Sequence, residues 1–374
     1  VKAWWINSMF FEGTMRGLFS MLFGAGIYHF TNRISVGNAS VTSAYIKRLL
    51  WLFLFGLIHF YILLWDGDIL YPYALIGFVA YSFRNWKIKY LIAGSVFLMC
   101  CSTALSVQDY MKNKIAFEKS SIAETKKESK QILSSRDSIA LTKWLGIVNE
   151  RKPSKEKIEK DIAERQKGYI SVMKYKASIN PFMQSYVMSR YFFWDIFAMI
   201  LLGMAFFKND ILKGERTRLF YIVLLVVGYS IGLSVNYFEA KHIMSHNFSI
   251  LSMDAANITY DVGKLFTVFG HLGLIMLFIS SGILNSLRLA LAAVGKMALS
   301  NYIMQTIICN IIFLGFGFGL YGKLQRYELY YIVIGIWIFQ LIISPLWLKY
   351  FCFGPLEWAW RSLIYWKRQP FRRG

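Results

Sequence analysis

The chain has 374 residues, of which 56% are apolar and 18% aromatic, and its mean hydropathy is +0.42. That composition excludes a soluble globular domain and a disordered chain alike. The net charge of +21 does not point to nucleic acid, because the Lys and Arg residues lie largely in short loops and one polar insert, where membrane topology explains them.

A hydrocarbon core of about 30 Å requires about 20 apolar residues per helix. Nine apolar runs bounded by charge approach that length: 14-31, 46-65, 69-84, 88-106, 187-207, 218-237, 261-283, 297-319 and 328-350. They are continuous rather than alternating, which favours helices over a lipid-facing barrel. The expected fold is all-α, a polytopic integral membrane helical bundle of about nine transmembrane helices. Residues 1-106 are expected to hold helices 1-4, 107-186 an extracytoplasmic polar helical insert, 187-350 helices 5-9, and 351-374 a basic cytoplasmic tail.

Alternate loops are basic. Arg33, Lys47 and Arg48, then Arg84, Lys87 and Lys89, then Lys208, Lys213, Arg216 and Arg218 mark one side, with Arg361, Lys367, Arg368, Arg372 and Arg373 in the tail. The intervening loops carry Asp66, Asp68, Glu239, Asp254 and Asp261. The positive-inside rule places the basic set and the C-terminus in the cytoplasm, and with nine helices Val1 falls outside. That start implies a preceding helix or leader. The first run is not read as a signal peptide, since no cleavage site follows it.

The insert includes "KPSKEKIEKDIAERQKGYISVMKYK", where Glu156, Lys157, Lys160, Asp161, Glu164 and Arg165 recur at helical spacing after Pro153 and Ser154. It reads as a solvated helical cap that the membrane fold can do without, or as a lid over a site. Cys100, Cys101, Cys309 and Cys352 lack ligand spacing and read as packing residues. The Asp66-Gly67-Asp68 turn has no further ligands nearby, so no metal is expected.

Chemistry concentrates in "GLIHFYILLWDGDILYPYALIGF". On a continuous helix His59 and Asp66, seven residues apart, share a face, and Arg48 lies on nearly the same one. His59 is about 9 Å deep at 1.5 Å per residue. An ionisable side chain at that depth faces the bundle interior or a wet cavity. One carboxylate of the Asp66-Gly67-Asp68 turn is expected to orient the ring or raise its basicity, and Asp66 and His271, the latter beside Gly270, to share its pocket. His59, Asp66 and His271 are the catalytic candidates. Arg48, Asp68, Asn301, Tyr302 and Gln305 are the substrate-binding candidates, although the 301-305 cluster serves equally well as interhelical glue.

The stretch "FGPLEWAWRSLIYWKR" resembles the closing signature of the YeiB-like bacterial membrane family, labelled domain of unknown function 418, through Gly354, Pro355, Leu356, Glu357, Trp358, Trp360 and Arg361. "RGLFSMLFGAG" from Arg16, "RLLWLFLFGLIHFYILLWDGDILYPYALIG" from Arg48 and "GKMALSNYIMQT" from Gly295 resemble its other segments in order and spacing. The family is distantly similar to transmembrane acyltransferases such as heparan glucosaminide acetyltransferase. The resemblance implies an acyl-CoA-type donor with no resident cofactor, a small-molecule or glycan acceptor, and a bacterial inner membrane location. The stretch matching that enzyme's catalytic-histidine region, "VKAWWINSMFFEG", has no His, so no catalytic residue carries over. A solute transporter and a non-catalytic scaffold remain the competing readings, and the sequence is silent on oligomeric state.

Overall fold

The computed structural model describes residues 2-33 and 41-373. Part of the loop expected after the first membrane run, 34-40, lies outside the described residues; of its expected basic residues, Arg33 ends α2 while Lys47 and Arg48 lie within α3. The chain opens with α1 (Lys2–Phe10), α2 (Thr14–Arg33) and α3 (Val41–Leu57), and α3 continues as a π-helical turn over Ile58–Ile62. Next come α4 (Leu70–Tyr81), α5 (Ile88–Glu128), α6 (Ser135–Arg151), α7 (Lys155–Arg165) and α8 (Tyr169–Phe182). A second π-helical stretch, Met183–Phe192, leads into α9 (Phe193–Lys208), followed by α10 (Arg218–Ser245) and α11 (Ile250–Ser281). The last four are α12 (Asn285–Lys296), α13 (Ala298–Phe313), α14 (Leu329–Tyr350) and α15 (Pro355–Tyr365). Among the described residues the only β pairing is one isolated bridge, Phe351 to Arg372.

Among the described residues six helical stretches are long and apolar enough to cross a bilayer: Val41–Ile62, Ile88–Glu128, Ser185–Lys208, Arg218–Ser245, Ile250–Ser281 and Leu329–Tyr350. Leu70–Tyr81 and Ala298–Phe313 are apolar but shorter. Their outward faces carry large apolar side chains such as Phe97, Leu219, Val226, Trp337 and Ile338, all exposed, as lipid contact demands. Polar caps start several helices: Ser134, Ser154, Thr217 and Ser249 each accept a backbone N–H of the first turn through the side chain.

At the centre stands α9, where eleven consecutive residues from Asp195 to Ala205 are buried. It can sit there because glycine lets α2 close on it. A Cβ at Gly24 would lie 2.1 Å from the Ile200 carbonyl oxygen, and one at Gly203 2.1 Å from that of Met21. α10 and α11 meet along a similar seam at Gly228 and Gly270.

The insert departs from a free cap. α5 runs unbroken for 41 residues, about 62 Å at 1.5 Å per residue, so a boundary at residue 106 falls inside one helix. The insert is also fastened to the bundle. Asn113 Nδ2 donates to Asp254 Oδ2 at 2.8 Å, Arg151 pairs with Asp254, and Arg190 pairs with Asp109 at 2.7 Å. α7 and α8 fold back over the turn that follows α3.

Candidate functional site

The site is made by a break in regular structure. α3 ends in the π turn, where Leu63 N–H donates to the Ile58 carbonyl and Trp65 N–H to that of His59. Leu64 then takes a left-handed conformation with φ of 55°, sterically unusual for a leucine. The chain turns at Gly67 and enters α4.

This break buries the His59 ring completely between the 63–69 turn and α13. Nδ1 lies 2.7 Å from Asp68 Oδ1, and Nε2 lies 2.7 Å from Thr306 Oγ1. Asp68 Oδ2 accepts the Tyr71 N–H at 2.8 Å, which fixes the carboxylate against the start of α4. An ionised Asp68 can only accept, so Nδ1 carries the proton and Nε2 takes the Thr306 hydroxyl proton as acceptor. Tyr302, one turn before Thr306, places its ring centroid 4.8 Å from that of His59 and accepts the Ile69 N–H at 3.2 Å.

α13 is in turn held from its own N-terminus. Glu357 accepts the Leu299 and Ser300 N–H groups at 2.7 and 3.0 Å and the Ser300 hydroxyl at 2.5 Å. A carboxylate there satisfies orphan donors and complements the helix dipole. Gly354 and Pro355 start α15 so that Glu357 points at α13. Trp358 Nε1 donates to the Gln369 carbonyl at 2.8 Å, folding the tail back.

On the insert side, Arg165 and Lys176 both reach Asp66 at 3.2 Å. The Lys176 ammonium also donates to the Leu64 carbonyl, and Tyr169 Oη donates to that of Ile62 at 2.7 Å. Burial lowers the Lys176 pKa, with Asp66 opposing the shift. A cavity of about 460 Å³ opens between these side chains and α13, with Trp65, Asp66, Asn310, Phe313 and Leu329 in its lining. Trp65 also borders His59, with ring centroids 6.4 Å apart, so it separates the cavity from the imidazole.

A second buried cluster lies on α2, α9 and α11. Arg16 pairs with Asp195 at 2.7 Å, and the Lys264 ammonium bonds Asp195 and Asp261, each at 2.5 Å.

The structure redistributes the residues singled out in sequence. Asp68, expected to bind substrate, is the partner of His59. Asp66, expected to share the face and pocket of His59, belongs instead to Arg165 and Lys176, because the π turn and Leu64 destroy the helical register that put residues 59 and 66 on one face. His271 is not brought to His59. Its Nδ1 bonds Tyr229 Oη at 2.7 Å and its Nε2–H donates to the Phe10 carbonyl at 2.8 Å, so it shares no partner with His59. The 301-305 cluster divides: Tyr302 joins His59, while Asn301 bonds Ser344 at 3.1 Å and Gln305 bonds Gln340 at 3.0 Å, stitching α13 to α14. Arg48 lies two turns into α3, about 16 Å from His59 at 1.5 Å per residue.

Sequence reasoning missed Thr306, Lys264, Arg165 and Lys176. For Lys264 a signal existed: an ammonium three residues after Asp261 in an otherwise apolar run. For the other three, spacing carried none, because their partners lie far away in the chain.

An all-helical bundle with six membrane-length helices and a site on a broken helix defines a polytopic membrane protein. The description "Protein of unknown function (DUF418)" matches residues 206–367. The chain is 32% identical over 366 residues to "Uncharacterized protein YxaH" of Bacillus subtilis (strain 168), covering 95% of this chain and 80% of that one. It is 27% identical over 352 residues to "Uncharacterized protein YeiB" of Escherichia coli (strain K12), covering 92% and 80%. The chain therefore belongs to the DUF418, YeiB-like family. No solved structure matches it.

Proposed function

We propose that the chain is a transmembrane acyltransferase of a bacterial inner membrane, moving an acyl group from a cytoplasmic donor to an extracytoplasmic hydroxyl or amine, with its C-terminus in the cytoplasm. The observation that carries this reading is the buried His59–Asp68 pair, whose Nε2 already accepts a hydroxyl proton donor. A neutral imidazole held in one tautomer by a carboxylate is the arrangement of a general base. We choose acyl transfer among the reactions such a base serves because the resemblance read in the sequence implies it.

In this reading the acceptor enters by the 460 Å³ cavity, passes Trp65, and takes the place of the Thr306 hydroxyl at Nε2. Its proton moves to Nε2 as its oxygen or nitrogen bonds the acyl carbonyl carbon. The bond from that carbon to the donor's leaving group breaks, and the leaving group takes the proton from the imidazolium. Asp68 stabilises the imidazolium in between.

The test is donor consumption by the purified protein in nanodiscs, with an acyl-CoA donor and amino-sugar or glycan acceptors. His59→Gln keeps hydrogen-bonding volume but cannot cycle a proton, so turnover is expected to fall about a hundredfold or more. Turnover that survives the substitution, or a wild type that consumes no donor, retires the reading.

One observation favours a solute transporter instead: three charged side chains, Asp195, Asp261 and Lys264, buried within the bundle beside the half-buried Arg16, as ion-coupled carriers have. Counterflow in proteoliposomes without donor consumption is the result that would select it.

A further inference from the structure

At the start of α3 lies a second cavity, of about 270 Å³, lined among others by Arg48, Arg361, Phe30, Trp360, Tyr365 and Glu357. It shares no lining residue with the cavity beside His59. The Arg48 guanidinium lies 5.0 Å from the Trp360 ring centroid and 5.3 Å from that of Phe30, and Arg361 lies 4.5 Å from that of Phe353. Trp360 Nε1 donates to the Arg48 carbonyl at 3.2 Å, locking α15 to α3.

Neither guanidinium has a carboxylate or a hydrogen-bond acceptor among the described residues. Glu357 lines the cavity, but its oxygens are taken by the start of α13. The neighbouring segment 34–40 contains no acidic residue. Two cations facing one partly enclosed space repel each other, and the half-buried Arg48 loses hydration, a cost that a bound anion removes. Guanidinium forks match phosphate oxygens in pairs, and aromatic walls hold the forks in plane.

We infer that Arg48 and Arg361 form a clamp for the phosphate group of a phosphorylated organic ligand. Resting on the acyl-transfer reading, that ligand is the donor, with its phosphates at the clamp and its acyl end carried on a long arm along α3 toward His59. An anionic phospholipid headgroup presents the same chemistry, and the experiment separates the two.

The intact chain in phosphatidylcholine nanodiscs is titrated with coenzyme A and with pantetheine, which lacks the phosphates. Retention of phosphatidylglycerol is read in parallel by native mass spectrometry. Saturable binding of coenzyme A, absent for pantetheine and weakened tenfold or more in Arg48→Gln/Arg361→Gln, supports the donor form. Arginine-dependent retention of phosphatidylglycerol without coenzyme A binding supports a lipid phosphate at the clamp and overturns the donor assignment. Equal binding of both probes by wild type and the double variant, or binding of neither by wild type, overturns the clamp. Arg361 is exposed, so Arg361→Gln carries the same test if the double variant does not assemble, with unchanged binding again overturning the clamp. His59→Gln is expected to bind coenzyme A as wild type does. A failed clamp therefore shows as arginine-independent binding, and a failed acyl-transfer reading as missing turnover.

Discussion

Two buried polar clusters sit in the same bundle, and they are built on opposite plans. The Arg16–Asp195–Lys264–Asp261 group lies on regular α2, α9 and α11, and each of its charges faces an opposite one. The His59–Asp68–Thr306 group lies on a π turn, an irregular connection and a helix reached much later in the chain, and one ring nitrogen is met only by a hydroxyl. The first arrangement satisfies itself. The second leaves a basic nitrogen whose partner another hydroxyl can replace, and that difference separates a framework from a candidate reaction centre.

The sharpest way to break the comparison is Lys264→Met, which leaves Asp261 buried without its cation. Loss of one partner from a buried ion pair typically costs about 3–5 kcal/mol. Denaturation in detergent is expected to show a loss of that size, and an unmoved midpoint would show that the network is not framework. Next in size is His59→Gln, for which turnover should collapse while the same unfolding midpoint barely moves. Comparable losses in both readouts would place His59 in the framework as well.

Thr306→Val sharpens the contrast further. It keeps shape, removes one hydrogen bond to the ring, and is expected to cost about 0.5–1.5 kcal/mol of stability. Turnover should persist, because the acceptor rather than Thr306 holds Nε2 during reaction. Abolished turnover in a folded variant would instead make Thr306 a participant.

The smallest effect concerns pH at the insert. Partial burial alone would raise the Asp161 carboxyl, but the bond from Tyr175 and the charge and bond of Arg165, with Tyr321, outweigh it and hold it below the usual carboxylate range. A depressed folded pKa means that this docking contribution is fully present above about pH 4, the ordinary value for Asp, and is lost as pH falls through the lower folded value. Hydrogen exchange across 155–176 should therefore quicken only on acidification below about pH 4. Equal protection on both sides of that range would remove Asp161 from the docking account.

The membrane class and the helical insert were legible because continuous apolar runs and charge spacing depend only on local chemistry. The burial of His59 was legible for the same reason. Its partner was not. The seven-residue spacing to Asp66 assumes an unbroken helix, and nothing in "HFYILLWDGD" announces that Leu64 turns left-handed. At residue 106 the polarity changes, yet no breaker interrupts the helix, so α5 continues from the apolar run into the polar segment. The signature Glu357 was legible as a family mark, but its work as the cap of α13 depends on a contact 58 residues back along the chain.

The turn that holds His59 also has a place in time. Its carbonyls at Ile62 and Leu64 wait for Tyr169 and Lys176, which lie 107 and 112 residues downstream, and the ring itself waits for Thr306, 247 residues away. Synthesis from the N-terminus therefore delivers the histidine together with Asp68, but long before Nε2 has its partner. The bundle's helices can insert one after another, but the reaction centre closes only when α13 arrives, so the part of the molecule proposed to do chemistry is among the last to mature.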